Sequence, residues 1–208
     1  MNFSKIEIGG FEPAFRGMRN PKESYYLSDS RVKPPYTQND FIIGERDLKL
    51  AQSLIKAGTS HRKFLRQITV WVDIEGPLYW WKEFDTYTVG VVRNSTSTMH
   101  TLSNSPITLD KIELTDWDNQ IVPEEDALML INFYENLREN FLLTGNKAYW
   151  KELIRWLPSG WKQKRTVNLN YESLRTIYHQ RKGHKLSEWQ EFRDWVETLP
   201  YAKELIII

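Results

Sequence analysis

Hydrophobic positions recur with two different periods along this chain. Leu48, Ala51, Leu54 and Ile55 fall on one helical face, with Gly58 as a stop. Ile68 to Ile74 (Ile-Thr-Val-Trp-Val-Asp-Ile) is rich in β-branched and aromatic residues and predicts a strand that ends at Gly76-Pro77. Pro77 suits the first turn of a helix through Leu78-Tyr79-Trp80-Trp81-Lys82-Glu83-Phe84. Pro123-Glu124-Glu125-Asp126 is a helix start with acids at the positive dipole end. Ala127, Ile131, Tyr134, Leu137 and Phe141 continue it on one face, and Gly145 can cap it. Tyr149, Leu153, Ile154 and Leu157 mark another helix, ended by Pro158-Ser159-Gly160. Asn170 is an N-cap for a helix from Tyr171 to Arg181, which Gly183 breaks. Leu186 to Thr198 is the last helix.

Between these elements the pattern is weaker. Lys111 to Leu114 is a candidate strand, and Arg93 to Thr98 is a polar loop by composition. Residues 1–40 show little periodicity and carry Gly9-Gly10, Pro13, Pro21 and Pro34-Pro35. They read as an extended N-terminal arm, suited to packing on a partner subunit, ahead of one α+β domain at 41–208. Helices dominate, with a few strands and no internal repeat.

A chain of 208 residues can bury a sizeable core. Lys+Arg 28 against Asp+Glu 27 leaves a formal net charge of +1, so no global basic field for nucleic acid exists. With Cys 0, disulfides and thiolate metal sites are excluded. No stretch has the length of a membrane span, and Met1-Asn2-Phe3-Ser4-Lys5 lacks the apolar core of a signal peptide. The expectation is a soluble, cytoplasmic protein. No His pair has zinc-helix spacing, and neither a Gly-rich phosphate loop nor a Gly-x-Ser-x-Gly elbow occurs.

Candidate chemistry rests on guanidiniums and hydroxyls. Arg155, just before Leu157-Pro158, and Arg181 are two fixed cations of the sort that hold a phosphate or a planar pyrimidine. Each also sits at a helix end, where a cation favours the dipole without any ligand. Asn94-Ser95-Thr96-Ser97-Thr98, followed by Met99-His100, offers donors to an anion or equally forms a solvated loop. Glu83 and Asp85 lie two apart, so on a helix they point to different faces.

In order, several of these pieces resemble the flavin-dependent thymidylate synthases (the ThyX type) over roughly Asp47 to Phe192. Gly58-Thr59-Ser60-His61-Arg62-Lys63-Phe64 is similar to that family's Gly-His-x-(Ser/Thr)-x-Phe-Glu-His turn. Pro77-Leu78-Tyr79 resembles its strand-Pro-hydrophobic-Phe step. Arg155-Trp156-Leu157-Pro158 is one residue shorter than its Arg-x-x-Leu-Pro, and Asn170 with Leu174 resembles its Asn-x-Arg-x-Leu start, with Arg181 at the later arginine. Glu191-Phe192 matches its Glu-Ile, with Trp189 about one residue out of register.

The resemblance implies a single α+β domain, mostly helical with a small antiparallel sheet. It also implies a homotetramer with active sites between subunits, and methylation of dUMP with FAD, NADPH and methylenetetrahydrofolate. It places Arg155, Arg181, Glu83, Asn94, Ser95 and Ser97 at the nucleotide, and Asn170, His61 and Lys63 at the flavin, with His100 beside the remodelled nucleotide loop. The family's Arg-His-Arg signature should start near Thr86, where this chain reads Thr86-Tyr87-Thr88-Val89-Gly90. The basic triad is absent, Leu65 stands for a flavin-contacting Glu, and Glu172 stands for an Arg. Three readings stay open: a divergent enzyme, a nucleotide-binding module without redox chemistry, and a structural protein of the same fold.

Overall fold

The computed structural model describes residues 1–33 and 41–208. The chain is mostly helical with a small antiparallel sheet, an α+β fold as expected. In order it runs β1 (Asn2–Gly9), α1 (Phe11–Arg19), β2 (Arg31–Val32), β3 (Phe41–Ile42), α2 (Glu45–Lys56), β4 (Thr69–Pro77), α3 (Leu78–Phe84), β5 (Val92–Ser95), α4 (Thr98–Thr101), α5 (Glu124–Thr144), α6 (Lys147–Arg155), β6 (Lys162–Asn170), α7 (Tyr171–Gln180) and α8 (Ser187–Glu197). Short 3₁₀ turns fill several connections, among them Arg62–Gln67, and a π-helical turn spans Lys203–Ile207. One sheet has the order β1-β4-β6-β5; β2 and β3 form an antiparallel pair.

Two compact units account for the contacts. The first comprises Met1–Asn2, Ile74–Asp85 and Asn94–Arg165; the second comprises Phe3–Asp73, Thr86–Arg93 and Thr166–Ile208. In the first unit, Leu102, Ile107, Ile131, Tyr134 and Leu153 form a buried cluster where α5 packs on α6. Tyr134 anchors the end of α6 by donating to the Trp156 carbonyl at 2.6 Å. The first turn of α3 exposes backbone donors that no helix can satisfy internally. Carbonyls of the turn between α6 and β6 take them: Leu78 N donates to Trp161 O at 3.0 Å and Tyr79 N to Ser159 O at 2.9 Å. Trp80 stacks on Phe84 at 4.9 Å, while Trp81 donates its indole N–H to Gln163 O at 2.9 Å under the Arg165 guanidinium, 4.3 Å from the ring.

In the second unit, aromatic contacts dominate. Phe11 meets Tyr171 edge-on at 5.5 Å, and Phe15 meets Phe64 at 5.8 Å. The buried Arg19–Asp47 pair, at 2.6 Å, is completed by Ser28 and Ser30, which both donate to Asp47. Burial alone would raise the Asp47 pKa, but the bonds from Ser30, Ser28 and Arg19 outweigh it and hold the carboxyl below its usual range.

Three local expectations change. The described part of residues 1–40 has two strands, β1 and β2, and a helix rather than irregular chain: Pro13 sits in the first turn of α1, where its missing N–H costs nothing, and Phe11, Ala14, Phe15 and Met18 are buried. Residues 34–40 of that segment lie outside the described residues. The polar stretch after Val91 is not simply loop, since Val92–Ser95 forms β5 and Thr96 N donates to Lys164 O at 2.9 Å. Lys111–Leu114 is no strand: a 3₁₀ turn covers Leu109–Lys111, and only an isolated bridge joins Ile112 to Trp161.

Candidate functional site

The second unit contains a cavity of about 730 Å³, within the size range of small-ligand sites. One wall is α7. Its start is fixed by a reciprocal cap: Asn170 Oδ1 accepts from Ser173 N at 2.9 Å, and Asn170 N donates to Ser173 Oγ at 3.0 Å. With the helix so phased, Glu172, Thr176 and Gln180, spaced by four, share one face toward the cavity, together with Ser173. Thr59, Arg62 and Arg66 supply a second wall from the turn after α2.

The third wall is the segment Thr86-Tyr87-Thr88-Val89-Gly90. Gly90 has φ +67°, and a Cβ there would stand 2.5 Å from the Asn170 amide nitrogen. Only glycine combines this backbone conformation with this close approach. Arg93 donates through Nη2 to the Tyr87 carbonyl and so ties the segment from behind.

Arg181 closes the cavity at the end of α7. Its Nε donates to the Tyr87 hydroxyl at 2.8 Å, and its guanidinium carbon lies 4.2 Å from the Trp189 ring centroid and 5.2 Å from that of Tyr87. Trp189 is fully buried, so the cation rests on a fixed aromatic floor. Arg66 makes no hydrogen bond or ion pair with a described residue. Arg62 pairs with Glu172, its Nε donating to both carboxylate oxygens at 3.0 and 2.9 Å. Three arginines and one glutamate, with a ring of hydroxyls and amides, make an anion-accepting site with flat, partly apolar walls.

Of the residues expected from sequence, Arg181 and Asn170 line the cavity. His61 and Lys63 flank Arg62 but are exposed and not part of the lining. Arg155, Glu83, Asn94, Ser95 and Ser97 belong to the first unit. There Arg155, with its side chain 55% exposed, pairs with Glu152 one turn earlier on its own helix, Glu83 lies on α3, Asn94 and Ser95 lie in β5, and Ser97 precedes α4 with His100 on that short helix. The sequence pattern does not mark Arg62, Arg66 and Tyr87 as site residues. The spacing of Arg62 and Arg66 was the available signal, because two cations four apart in a turn can face one way. Among the described residues, no group of three His, Asp or Glu could hold a metal ion, and no helix is long and apolar enough to cross a membrane.

No protein-family profile matches the sequence, and no curated protein matches it. Solved structures do match in fold. The flavin-dependent thymidylate synthase ThyX from Helicobacter pylori, complexed with FAD and dUMP, aligns with TM-score 0.70 and 18% identity over 99% of this chain and 98% of that one. A second structure of the same organism's ThyX, with FAD and dUMP, aligns with TM-score 0.68 and 18% identity over 99% and 97%. The fold is therefore that of the ThyX proteins, and the stretch on which the resemblance placed the basic triad, Thr86–Gly90, forms one wall of the cavity.

Proposed function

We propose that this chain is a divergent flavin-dependent thymidylate synthase-like protein that acts on a pyrimidine nucleotide, dUMP in type, through the cavity of the second unit. The carrying observation is the convergence of Arg62, Arg66 and Arg181 with the hydroxyls of Thr59, Thr86, Tyr87, Thr88 and Thr176 in one cavity of nucleotide size, on a fold whose neighbours hold FAD and dUMP. Charge-assisted bonds to such an anion contribute about 1.5–3 kcal/mol each. Arg181 is the anchor of the nucleotide's phosphate in this reading. The side-chain amides of Asn170 and Gln180 face the uncharged part of the ligand.

The donor set also fits FAD, whose diphosphate needs cations and hydroxyl donors and whose ring needs a flat wall. Arg66, Thr59 and Ser173 would hold it, and Asn170 would contact it. When bound, reduced flavin supplies the hydride chemistry of methyl transfer; NADPH and methylenetetrahydrofolate would feed it. Homotetramer formation, a cytoplasmic location, the N-terminal segment as a subunit-joining arm, and roles for Glu83, Asn94, Ser95, Ser97, His61 and Lys63 remain part of this proposal. The absence of the Arg-His-Arg triad favours one second reading, a nucleotide-binding protein without redox chemistry.

An absorbance spectrum of the purified protein, taken before and after adding FAD and dUMP, separates the two. A bound-flavin spectrum that responds to dUMP, with methylation in a coupled assay, is expected. A protein that binds dUMP and ignores FAD would establish the second reading, and one that binds neither would overturn both.

A further inference from the structure

Helix α5 carries more apolar surface than its own core uses. Ile131 and Tyr134 are buried in the cluster that includes Leu153 of α6. A surface helix ordinarily turns polar residues to the opposite side. On α5 that side instead holds Met129, 66% exposed, and Leu143, 85% exposed, with Leu128 and Phe133 exposed alongside. Met129 and Leu143 are two heptads apart, so they lie close to one line along the helix, and Asn136 stands midway between them. Its amide is exposed and makes no hydrogen bond with a described residue.

Charge divides between the two ends. Glu124, Glu125 and Asp126 open α5, and Lys147 stands just beyond its far end. Glu125 and Lys147 are exposed, and neither pairs with a described residue. A parallel partner helix would set these acids against acids, which is unfavourable. An antiparallel copy of α5 would not. We propose that the outer face of α5 docks a second copy of this chain, antiparallel about a two-fold axis at Asn136. That arrangement places Met129 of each copy on Leu143 of the other, brings Glu125 to Lys147 at both ends, and sets Asn136 beside its own counterpart. The face is thus complementary to itself, as an isologous interface requires, and a polar asparagine at its centre fixes the register. This gives one interface to the homotetramer proposed above and does not depend on what the cavity binds.

The test uses the full chain. With Cys 0, a single introduced cysteine can form a disulfide only with another molecule. Asn136→Cys is expected to crosslink into a dimer under mild oxidation, because the two-fold axis brings the two residues within disulfide reach. Lys56→Cys, exposed at the end of α2, is the control and should stay reduced. Sedimentation velocity supplies the second readout. The wild type should associate as concentration rises. Met129→Glu combined with Leu143→Glu should raise the dissociation constant at least about tenfold, since docking would then bury carboxylates. Glu125→Lys should weaken association, and adding Lys147→Glu should restore it to within about twofold of the wild type. Thermal melting at low concentration checks folding; if the double glutamate variant does not fold, the cysteine and charge-reversal variants carry the comparison.

A wild type that stays monomeric at every concentration overturns the proposal and leaves the face to a different partner. An assembly that persists in the double glutamate variant overturns it as well, while the homotetramer would then stand on another face. Failure of Asn136→Cys to crosslink, or of Lys147→Glu to rescue Glu125→Lys, refutes the antiparallel pairing.

Discussion

Two arginines that look alike in sequence end up in different situations. Arg155 and Arg181 each sit at the end of a helix, and each resembles a nucleotide-holding arginine of the same family. Arg155 lies in the last turn of α6, half-exposed and paired with Glu152 of its own helix. Arg181 is held by the Tyr87 hydroxyl and two aromatic rings in the lining of a cavity. What separates them is what the tertiary fold delivers to each. Position relative to a helix end predicts favourable electrostatics for both. Only a partner from elsewhere in the sequence, here the 86–90 segment and Trp189, turns one of them into part of a site.

That contrast can be broken by substitution. Arg181→Ala should weaken dUMP binding by about 1.5–3 kcal/mol, roughly ten- to more than a hundredfold, read by calorimetry. An unchanged affinity would show that the aromatic sandwich is structural. Gly90→Ala should destabilise the protein by about 1–3 kcal/mol, because a left-handed backbone is forced on alanine while its Cβ meets the Asn170 amide. The same variant should widen or distort the cavity and lower dUMP affinity, and a normal melting curve with full affinity would contradict the packing described. Asn170→Ala should cost about 1 kcal/mol in denaturant unfolding through loss of the cap.

A pH scan sharpens the same helix. Burial, with the nearby Arg175, Arg193 and Arg62 charges, lowers the His179 pKa despite a contact with the Ile206 carbonyl. The unfolded state therefore binds this proton first, so stability should fall as pH drops through about 6.5 toward the folded-state value. His179→Gln should remove that part of the slope in melting experiments, and an identical slope would assign it to other groups. The smallest effect is expected for Arg155→Ala: a stability change within about 0.5 kcal/mol, as for exposed pairs generally, and dUMP affinity equal to wild type. A tenfold loss of affinity would instead place Arg155 at the nucleotide and reverse the comparison.

How far each region could be read from sequence follows the same division between local and delivered information. Helix α7 was legible because its cap and its apolar period are local: Asn170, Leu174 and Ile177 suffice. Helix α3 was legible because a Gly-Pro step precedes an aromatic run. Strand β6 was not anticipated, since its inward positions include Gln163 beside Val167 and Leu169, and its outward ones are Lys164 and Thr166, so polarity hides the alternation. Strand β5 read as loop because Asn94 and Ser95 prefer turns. Neighbouring bonds supply the order that propensity lacks, among them Gln163 Nε2 to Thr96 O at 2.7 Å. Of the cavity, only Arg181 and Asn170 were foreseen. Arg62, Arg66 and Tyr87 become neighbours of α7 through folding across separations such as the 110 positions between Arg62 and Glu172, and no local pattern records that.

The aromatic floor beneath Arg181 has an optical consequence. Nine tryptophans make the total emission of this protein a crowded signal, but Trp189 alone among the described ones carries the Arg181 guanidinium at 4.2 Å. A cation on an indole face shifts and quenches its fluorescence, and an anion that draws on that cation should relax the shift. The difference spectrum between the protein and its Trp189→Phe variant thus isolates one built-in chromophore, which would report occupancy of the cavity by any colourless phosphate compound without a label.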